Sequence, residues 1–182
     1  MKTEGKSVLI ISTSPREGSN SELLASEFAK GAVQSGHKVE LISLRGKDIK
    51  FCRGCFACQK TQRCVIRDDA DLIEQKMEKA DVLVFATPIY YYEMSGQMKT
   101  ILDRGNPLYT TNYAFRDVYL ICSAAENEDH VWERARKGLE GWIECFPKAR
   151  LAGCVFGGDV TEVKDVIGNP AMEEAYKMGK NI

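Results

Sequence analysis

Hydroxyl, amide and guanidinium side chains crowd residues 12–21, between an apolar run at residues 8–11 and a helical pattern that begins near Glu22. The first backbone N–H groups of a helix have no partner within it, and the helix dipole adds partial positive charge there. A strand, a polar turn and a helix in this order therefore predict a site that holds a phosphate group. The polar side chains add short hydrogen bonds to such a group. The candidate binding residues are Ser12, Ser14, Arg16, Ser19, Asn20 and Ser21.

Three successive tyrosines follow a second apolar run, at residues 81–87. Their flat apolar rings and hydroxyl groups suit contact with a planar cofactor. Aromatic clusters also pack cores and oligomer interfaces, so both interpretations stay open for each single tyrosine. Backbone amides near Tyr90 and Ser95 are the predicted contacts to a ring edge, because Gly96 permits close approach. The candidates in this segment are Pro88, Ile89, Tyr90, Tyr91, Met94, Ser95 and Gly96.

Five apolar runs alternate with helical patterns and no linker interrupts them. The predicted strands are residues 8–11, 39–44, 81–87, 118–122 and 151–156, and the predicted helices are 22–36, 69–79, 95–105, 128–146 and 170–180. Ser19 and Ser95 are expected to cap the first and third helices, and Pro170 to start the last. This order predicts an α/β fold: a doubly wound, five-stranded parallel sheet with helices on both faces. We expect one domain over residues 1–182, with a cysteine-containing loop at 45–67 inserted after the second strand.

Ligands of such sheets bind beyond the carboxyl ends of the strands, where the strand order reverses. The segments 12–21, 87–96 and 122–126 follow strands one, three and four, and the third adds Ser123 as a candidate. The first segment lacks the three spaced glycines of a dinucleotide site and the Gly-Lys-Ser/Thr ending of a nucleotide P-loop. A terminal phosphate surrounded by hydroxyls remains, and flavin mononucleotide (FMN) suits it.

Composition excludes several other classes of partner. A net charge of -1 gives no reason to expect nucleic acid or a membrane surface. No apolar segment approaches the roughly 20 residues of a bilayer span, and residues 1–6 leave no room for a leader. A cytoplasmic protein is therefore expected, whose seven cysteines stay reduced or bind a ligand.

Residues 13–21, 87–99 and 102–104, together with the ending 168–180, resemble the NAD(P)H-dependent FMN reductase family, whose closest branch includes the iron–sulfur flavoproteins. The resemblance implies a flavodoxin-like fold, bound FMN, and a homodimer or homotetramer with the flavin near a subunit interface. By position, Ser14, Arg16, Asn20 and Ser21 match the phosphate binders, and Pro88, Ile89, Tyr90, Met94, Ser95 and Gly96 match the segment against the flavin. Thr13 departs from the glycine usual in the family, which predicts a slightly different turn, because β-branched residues tolerate unusual φ poorly.

Four cysteines, Cys52, Cys55, Cys58 and Cys64, form a C-x2-C-x2-C-x5-C pattern. The pattern is similar to the compact motif of iron–sulfur flavoproteins, which implies a [4Fe-4S] cluster that passes electrons to FMN. It differs from the ferredoxin run, whose last gap is three residues and is followed by proline. A zinc site and a loop without metal are the alternatives. The remaining cysteines, Cys122, Cys145 and Cys154, are expected in the core.

With FMN in place, no catalytic side chain is required, because the flavin N5 accepts the hydride. We expect an FMN-dependent NAD(P)H oxidoreductase with a small acceptor such as a quinone or free flavin. The alternative is an electron carrier that ferredoxin feeds through the cluster, and a redox or metal sensor is a weaker third class. His37 and His130 lie too far apart in sequence to suggest a histidine triad or metal site.

Overall fold

The computed structural model describes residues 5–182. The expectation of no leader concerned residues 1–6, of which 1–4 lie outside the described residues. Its strands are β1 (Ser7–Ser12), β2 (Lys38–Ser43), β3 (Val82–Tyr90), β4 (Glu93–Met94), β5 (Asp117–Ser123) and β6 (Arg150–Gly157). Its helices are α1 (Asn20–Gln34), α2 (Cys58–Thr61), α3 (Asp69–Lys79), α4 (Gly96–Arg104), α5 (His130–Glu144) and α6 (Pro170–Lys180), with a 3-10 turn at Asn106–Thr110. No helix of residues 5–182 is long and apolar enough to cross a membrane.

The main sheet has the strand order β2-β1-β3-β5-β6, and all of its pairs are parallel. Its three central strands are buried on both faces, which explains their nearly continuous apolar sequences. The predicted doubly wound, five-stranded parallel sheet is therefore confirmed. The strand order reverses between β1 and β3, because the chain continues from β1 outward to β2 and then returns to the other side of β1.

Helices cover both faces of the sheet, and β1 shows how the alternation of side chains divides the core. Val8 and Ile10 pack on the face that α1 and α6 cover, with Leu24 and Phe28. Leu9 and Ile11 pack on the opposite face with residues of α3, α4 and α5, among them Met77, Met98 and Leu139. This period of two is the expected geometry of a strand between two layers of helices.

Polar caps start the helices that border the carboxyl ends of the strands. The Ser19 side chain accepts a hydrogen bond from Glu22 N at 3.3 Å, and Ser95 Oγ accepts one from Met98 N at 3.2 Å. Both caps match the prediction, and Pro170 is the first residue of α6. The two capped helices are the next elements after β1 and β4, so the sequence that starts each helix also borders the expected site.

The structure corrects two local predictions. Residues 87–96 are a β-hairpin rather than an open loop, because β3 continues to Tyr90 and β4 pairs back against it at Ile89–Met94 and Tyr90–Glu93. Cys145 is exposed rather than part of the core, since α5 ends at Glu144 and Cys145 follows it. Cys122 is buried as expected, and Cys154 is half-buried.

Candidate functional site

Three segments converge where the strand order reverses. They are the phosphate loop (residues 13–19), the tyrosine hairpin (residues 87–96) and the acidic loop after β5 (residues 124–129). The backbone of Thr13 ties the first to the second, because its N–H donates to Ala86 O at 2.9 Å. Ser123, the last residue of β5, is buried and pairs with Pro88 across the sheet. The three predicted segments thus share one edge of the sheet.

A buried hydroxyl network joins the phosphate loop to the tyrosine hairpin. Thr13 Oγ1 donates to Ala86 O at 2.9 Å and lies 3.0 Å from Ser95 Oγ. Ser95 N donates to Thr87 Oγ1 at 3.0 Å. The Ser95 amide is therefore used within the chain and is not free for a ring edge. Thr13 and Thr87 were not predicted as site residues. Thr13 could have been singled out because it occupies a position where the family that the sequence resembles usually has glycine. Its φ is not positive, so the turn does not require glycine there.

The phosphate loop and the two elements that flank it carry a set of buried serines. Ser12, Ser14, Ser19 and Ser21 are each at most 2% exposed. Ser14 Oγ accepts from Arg16 N at 3.2 Å and Ser19 caps α1. The hydroxyls of Ser12 and Ser21 have no hydrogen-bond partner in the part of the chain that the structure describes. A buried hydroxyl left unpaired is costly, so these two groups mark a place for a polar ligand.

Two predicted phosphate ligands also make hydrogen bonds to the β6–α6 loop (residues 158–169). Asn20 Nδ2 donates to Glu162 O at 2.9 Å and its Oδ1 accepts from Val166 N at 3.2 Å. Arg16 Nη2 donates to Thr161 O at 2.8 Å. Both main hydrogen-bonding atoms of the Asn20 side chain are thus engaged within the chain. Arg16 is exposed and keeps further N–H donors for an anion, because a guanidinium carries five.

Lys164 is a basic residue near the phosphate loop that no local sequence pattern indicates. Its Cε would lie 4.0 Å from a Cβ placed on Gly18. Lys164 is 146 residues from Gly18 in sequence, since 164 minus 18 is 146, and no local pattern connects the two. Its ammonium group adds positive charge beside the loop where a phosphate would bind.

The tyrosine hairpin turns through two residues with left-handed backbone. Tyr91 has φ 51° and Tyr92 has φ 63°, positions that two-residue hairpins usually fill with asparagine, aspartate or glycine. Tyr91 is 98% exposed. Residues other than glycine rarely adopt such angles, and strained backbone of this kind gathers at functional sites. The turn presents the Tyr91 ring to solvent beside the convergence of the three segments.

Tyr92 joins the hairpin to the acidic loop. Its hydroxyl donates to Glu126 Oε2 at 3.1 Å, and its ring stacks on His130 at 5.7 Å between centroids. The hydrogen bond to the Glu126 carboxylate raises the pKa of Tyr92, because it favours the protonated phenol. This contact gives His130 and the acidic run a structural role at the hairpin.

The other candidates of the hairpin divide into buried and open positions. Pro88 and Met94 are buried, and Met94 packs in the core beside Ile89. Tyr90 is exposed, and a Cβ on Gly96 would meet nothing within 4 Å. The backbone of Gly96 is therefore open to the approach of a planar group.

The four cysteines of the pattern line one small cavity. Cys52, Cys55, Cys58 and Cys64 surround about 20 Å³ together with Arg104 and Asn106. Burial raises the pKa of Cys58, and the neighbouring thiols of Cys64, Cys52 and Cys55 raise it further. Cys52 Sγ accepts hydrogen bonds from Gly54 N at 3.4 Å and Asn106 Nδ2 at 3.7 Å. Four thiols are the donor set of iron–sulfur clusters. Within residues 5–182, no three potential ligands have the geometry of a single metal-ion site.

Comparison with known proteins decides the family. A family model described as NADPH-dependent FMN reductase matches residues 7–137, which include the phosphate loop, the tyrosine hairpin and all four cysteines of the pattern. The chain belongs to the NADPH-dependent FMN reductase family. Membership makes the chain an oxidoreductase and supports FMN as its cofactor.

Relatives of this chain include iron–sulfur flavoproteins. One from Methanosarcina thermophila is 28% identical over 169 residues, which are 92% of this chain and 85% of that protein. Another, from Methanocaldococcus jannaschii, is 39% identical over 101 residues, so that the match covers 56% of this chain and 52% of that protein. These names support the iron–sulfur flavoprotein branch of the family.

A solved structure confirms the flavodoxin-like fold of this chain. The NAD(P)H:quinone oxidoreductase from Methanothermobacter marburgensis superposes with a TM-score of 0.71 at 16% sequence identity, and the match covers 97% of this chain and 96% of that one. At this identity the likeness concerns the fold alone. The fold places the phosphate loop and the hairpin at the sheet edge where doubly wound folds bind ligands.

The residues of this chain fit FMN in two respects. Unpaired buried hydroxyls at Ser12 and Ser21 stand beside the first turn of α1, as a phosphate requires. Open space beside Gly96 leaves room for the ring. The side chain of Asn20, another predicted phosphate ligand, makes hydrogen bonds to the β6–α6 loop.

Proposed function

We propose that this chain is an FMN-dependent NAD(P)H oxidoreductase that reduces a small acceptor such as a quinone or free flavin. One observation carries the proposal: the unpaired hydroxyls of Ser12 and Ser21, which flank the phosphate loop, and the exposed rings of the tyrosine hairpin follow the neighbouring strands β1 and β3. FMN supplies the hydride and electron chemistry when it is bound. In the net reaction NAD(P)H gives up a hydride, and a quinone takes up its two electrons and one proton together with a second proton from water, which gives NAD(P)+ and a hydroquinone.

The proposal divides the binding work between two parts of the chain. The phosphate would bind at Ser12, Ser14, Ser19 and Ser21, with Arg16 and Lys164 as nearby positive charges and the N–H groups of Asn20 and Ser21 as backbone donors. Around the ring, Pro88, Ile89, Tyr90, Tyr91, Met94, Ser95, Gly96 and Ser123 form or support the wall. These residues bind and orient, and no side chain is assigned as a catalytic acid or base.

Binding and turnover together test this proposal. The chain purified without flavin should bind one FMN, measured by quenching of flavin fluorescence, and then oxidise NADH or NADPH with a quinone as acceptor. Double-reciprocal plots at several quinone concentrations should be parallel, as expected when the nicotinamide and the quinone use one place in turn. A chain that binds no FMN, or that binds it and turns over neither nucleotide, would refute the proposal.

A second candidate function is an electron carrier that passes electrons from ferredoxin through a [4Fe-4S] cluster to FMN. The four cysteines that line one cavity favour it, as does the name of the relative that matches 92% of the chain. The ligands would be Cys52, Cys55, Cys58 and Cys64. The assay is anaerobic purification followed by iron, sulfide and zinc determination. About four iron and four sulfide per chain would support the cluster, and zinc or no metal would refute it.

We further propose that the whole chain forms one FMN-binding domain, assembles as a homodimer or homotetramer, and works in the cytoplasm. The nearly complete exposure of Tyr91 and its strained backbone support an assembly in which a second subunit covers the hairpin. Light scattering of the flavin-loaded protein would distinguish two, four and one subunits. A monomer would refute the assembly and leave the FMN proposal intact.

A further inference from the structure

A fully buried guanidinium lies under the cysteine loop (residues 45–67). Arg104, the last residue of α4, has a side chain that is 0% exposed. Its Nη1 donates to Asp68 Oδ2 at 2.7 Å and to Lys50 O at 2.9 Å, and its Nη2 donates to Ile66 O at 3.2 Å. A charge so completely removed from water persists only when it is paired and hydrogen-bonded.

The acceptors of this guanidinium flank the cysteines on both sides. Lys50 stands two residues before Cys52, and Ile66 stands two residues after Cys64. One side chain therefore bonds to the backbone at both ends of the segment that carries the four thiols. Asp68 reinforces the junction, because its Oδ2 also accepts from Lys50 N at 2.9 Å.

The same guanidinium adjoins the thiols themselves. Arg104 lines the cavity that the four cysteines surround. Its partner Asp68 is also fully buried, and Glu74 Oε1 lies 3.5 Å from Arg104 Nη2. Removing one member of a buried pair leaves the other charge uncompensated, so a change at Arg104 or Asp68 is expected to disturb the junction between the two ends of the loop.

Helix α4 connects this junction to the tyrosine hairpin. The helix begins after the Ser95 cap and ends at Arg104, and its nine residues span about 14 Å. Ser95 is bound to Thr13 and Thr87 beside the phosphate loop. A single short helix thus fixes the cysteine loop with respect to the proposed flavin site.

We infer that Arg104 is a positioning residue that closes the cysteine loop and gathers its four thiols around one cavity. The inference deepens the second proposed function. Only the iron-uptake test below rests on that function; the alkylation test does not. In that function the closed loop presents all four thiols to one cluster. The role of Arg104 in gathering the thiols does not depend on which metal, or whether any metal, binds there.

Thiol accessibility in the metal-free chain tests the inference. Arg104→Lys keeps the charge but lacks the planar fork that reaches Lys50 O and Ile66 O together. Cys58 is buried in the loop, and Cys122 is buried in β5 at the centre of the sheet, so each reports on a different opening. Alkylation followed by mass spectrometry gives both rates from one sample. Phe28→Leu, on the opposite face of the sheet, is the matched variant that weakens the fold without touching the loop.

We expect Arg104→Lys to speed alkylation of Cys58 on the order of tenfold while the rate at Cys122 stays unchanged, as local opening requires. Phe28→Leu lowers the free energy of global unfolding, so it should speed alkylation of Cys122 at least as much as that of Cys58. If Arg104→Lys fails to fold, Asp68→Asn replaces it, because asparagine still caps α3 but loses the charge. An unchanged Cys58 rate, or equal acceleration at Cys58 and Cys122, would overturn the inference.

Iron uptake separates this inference from the cluster proposal. After anaerobic incubation with iron and sulfide, the parent and Phe28→Leu should bind equal amounts of iron, and Arg104→Lys should bind less. A parent that binds no iron would refute the cluster, and the alkylation rates would then decide on Arg104 alone. Full iron uptake by Arg104→Lys would count against the positioning role.

Discussion

The unpaired hydroxyl of Ser21 gives a substitution whose effects on stability and on ligand binding have opposite signs. Ser21 is fully buried and its Oγ has no partner within the described chain. Ser21→Ala removes a buried group that costs about 1–3 kcal/mol when unsatisfied. We expect the flavin-free variant to be at least as stable as the parent in urea unfolding, while its affinity for FMN falls roughly tenfold through loss of a charge-assisted hydrogen bond.

Ser26→Ala is the control for this substitution. Ser26 lies on the same helix, and its hydroxyl donates to Glu22 O at 2.9 Å. Its removal should leave FMN affinity unchanged. An Ser21→Ala variant that keeps the parent affinity would show that Ser21 does not bind the phosphate.

Glu74 makes the stability of the metal-free chain depend on pH. Burial raises the pKa of this carboxyl from 4.5 to about 8, against the opposing attraction of Arg104. In the unfolded chain Glu74 loses its proton near pH 4.5, whereas in the folded chain Glu74 stays protonated until the pH approaches about 8. The free energy of unfolding therefore falls as the pH rises from 4.5 toward about 8, by up to roughly 1.4 kcal/mol per pH unit.

Urea unfolding across this pH range measures the slope. Glu74→Gln should flatten it, whereas Glu78→Gln, at a less buried position of α3, should keep it. Asp68 and Asp71 have lowered pKa values and contribute the opposite slope only in more acidic solution. A parent slope that Glu74→Gln leaves intact would assign the effect to another group.

The side-chain contacts of single residues were the least predictable feature of the site. The types and places of the phosphate-loop serines were predictable, because local strand-turn-helix chemistry selects them. The engagement of Asn20 was not, since its partners Glu162 and Val166 come from a loop more than 140 residues away. Thr13 is similar: its hydroxyl meets Ser95 across two strands. Such contacts depend on the folded sheet rather than on spacing.

At the scale of elements, α1 and α6 cross so closely that only glycine fits. A Cβ on Gly31 would lie 2.1 Å from Tyr176 O and 2.8 Å from Lys180 N. Gly31→Ala must separate the two helices, and we expect it to lower the free energy of unfolding by about 3 kcal/mol. Gly141 is the matched position within α5, where a Cβ meets nothing within 4 Å.

Gly141→Ala should instead raise stability by about 0.5–1 kcal/mol, because alanine favours the helix interior. Urea unfolding of both variants gives the comparison. Equal effects of the two substitutions would show that α1 and α6 are not packed as described.

The tyrosine hairpin is the element with strain in its turn. Tyr91→Gly and Tyr91→Ala both remove an almost fully exposed ring, but only glycine is at ease at φ 51°. We expect Tyr91→Gly to be more stable than Tyr91→Ala by about 1 kcal/mol in chemical unfolding. Both variants should show the same loss of flavin binding or of subunit assembly if the ring has either role. An Ala variant as stable as the Gly variant would mean that the turn is not left-handed there.

The strained turn also shows why this element was predicted only in part. The two turn positions hold Tyr91 and Tyr92 rather than the glycine or asparagine that marks a two-residue turn. The sequence therefore did not indicate that β4 would pair back on β3. The parallel strands were predictable because each is an apolar run of suitable length between turn signals. The hairpin depends on contacts of Tyr92 with Glu126 and His130, which only the assembled sheet brings near.

At the scale of the whole molecule, the order of strands and helices determines where a ligand can bind. Alternating strands and helices led to a doubly wound sheet, and the reversal between β1 and β3 placed the three polar segments at one edge. The cysteine pattern gave the ligand types but not their arrangement, because irregular backbone has no periodicity. Its closure by Arg104 involves a residue 40 positions after Cys64, since 104 minus 64 is 40.

An anaerobic titration tests the claim that a nicotinamide nucleotide reduces FMN on this chain. The flavin-loaded protein is titrated with NADH and, separately, with NADPH while the visible flavin absorption is recorded. We predict that at least one nucleotide bleaches the flavin fully at about one equivalent per FMN, since each hydride carries two electrons. A flavin that stays oxidised with both nucleotides, and bleaches only with reduced ferredoxin, would contradict the claim and favour the electron carrier.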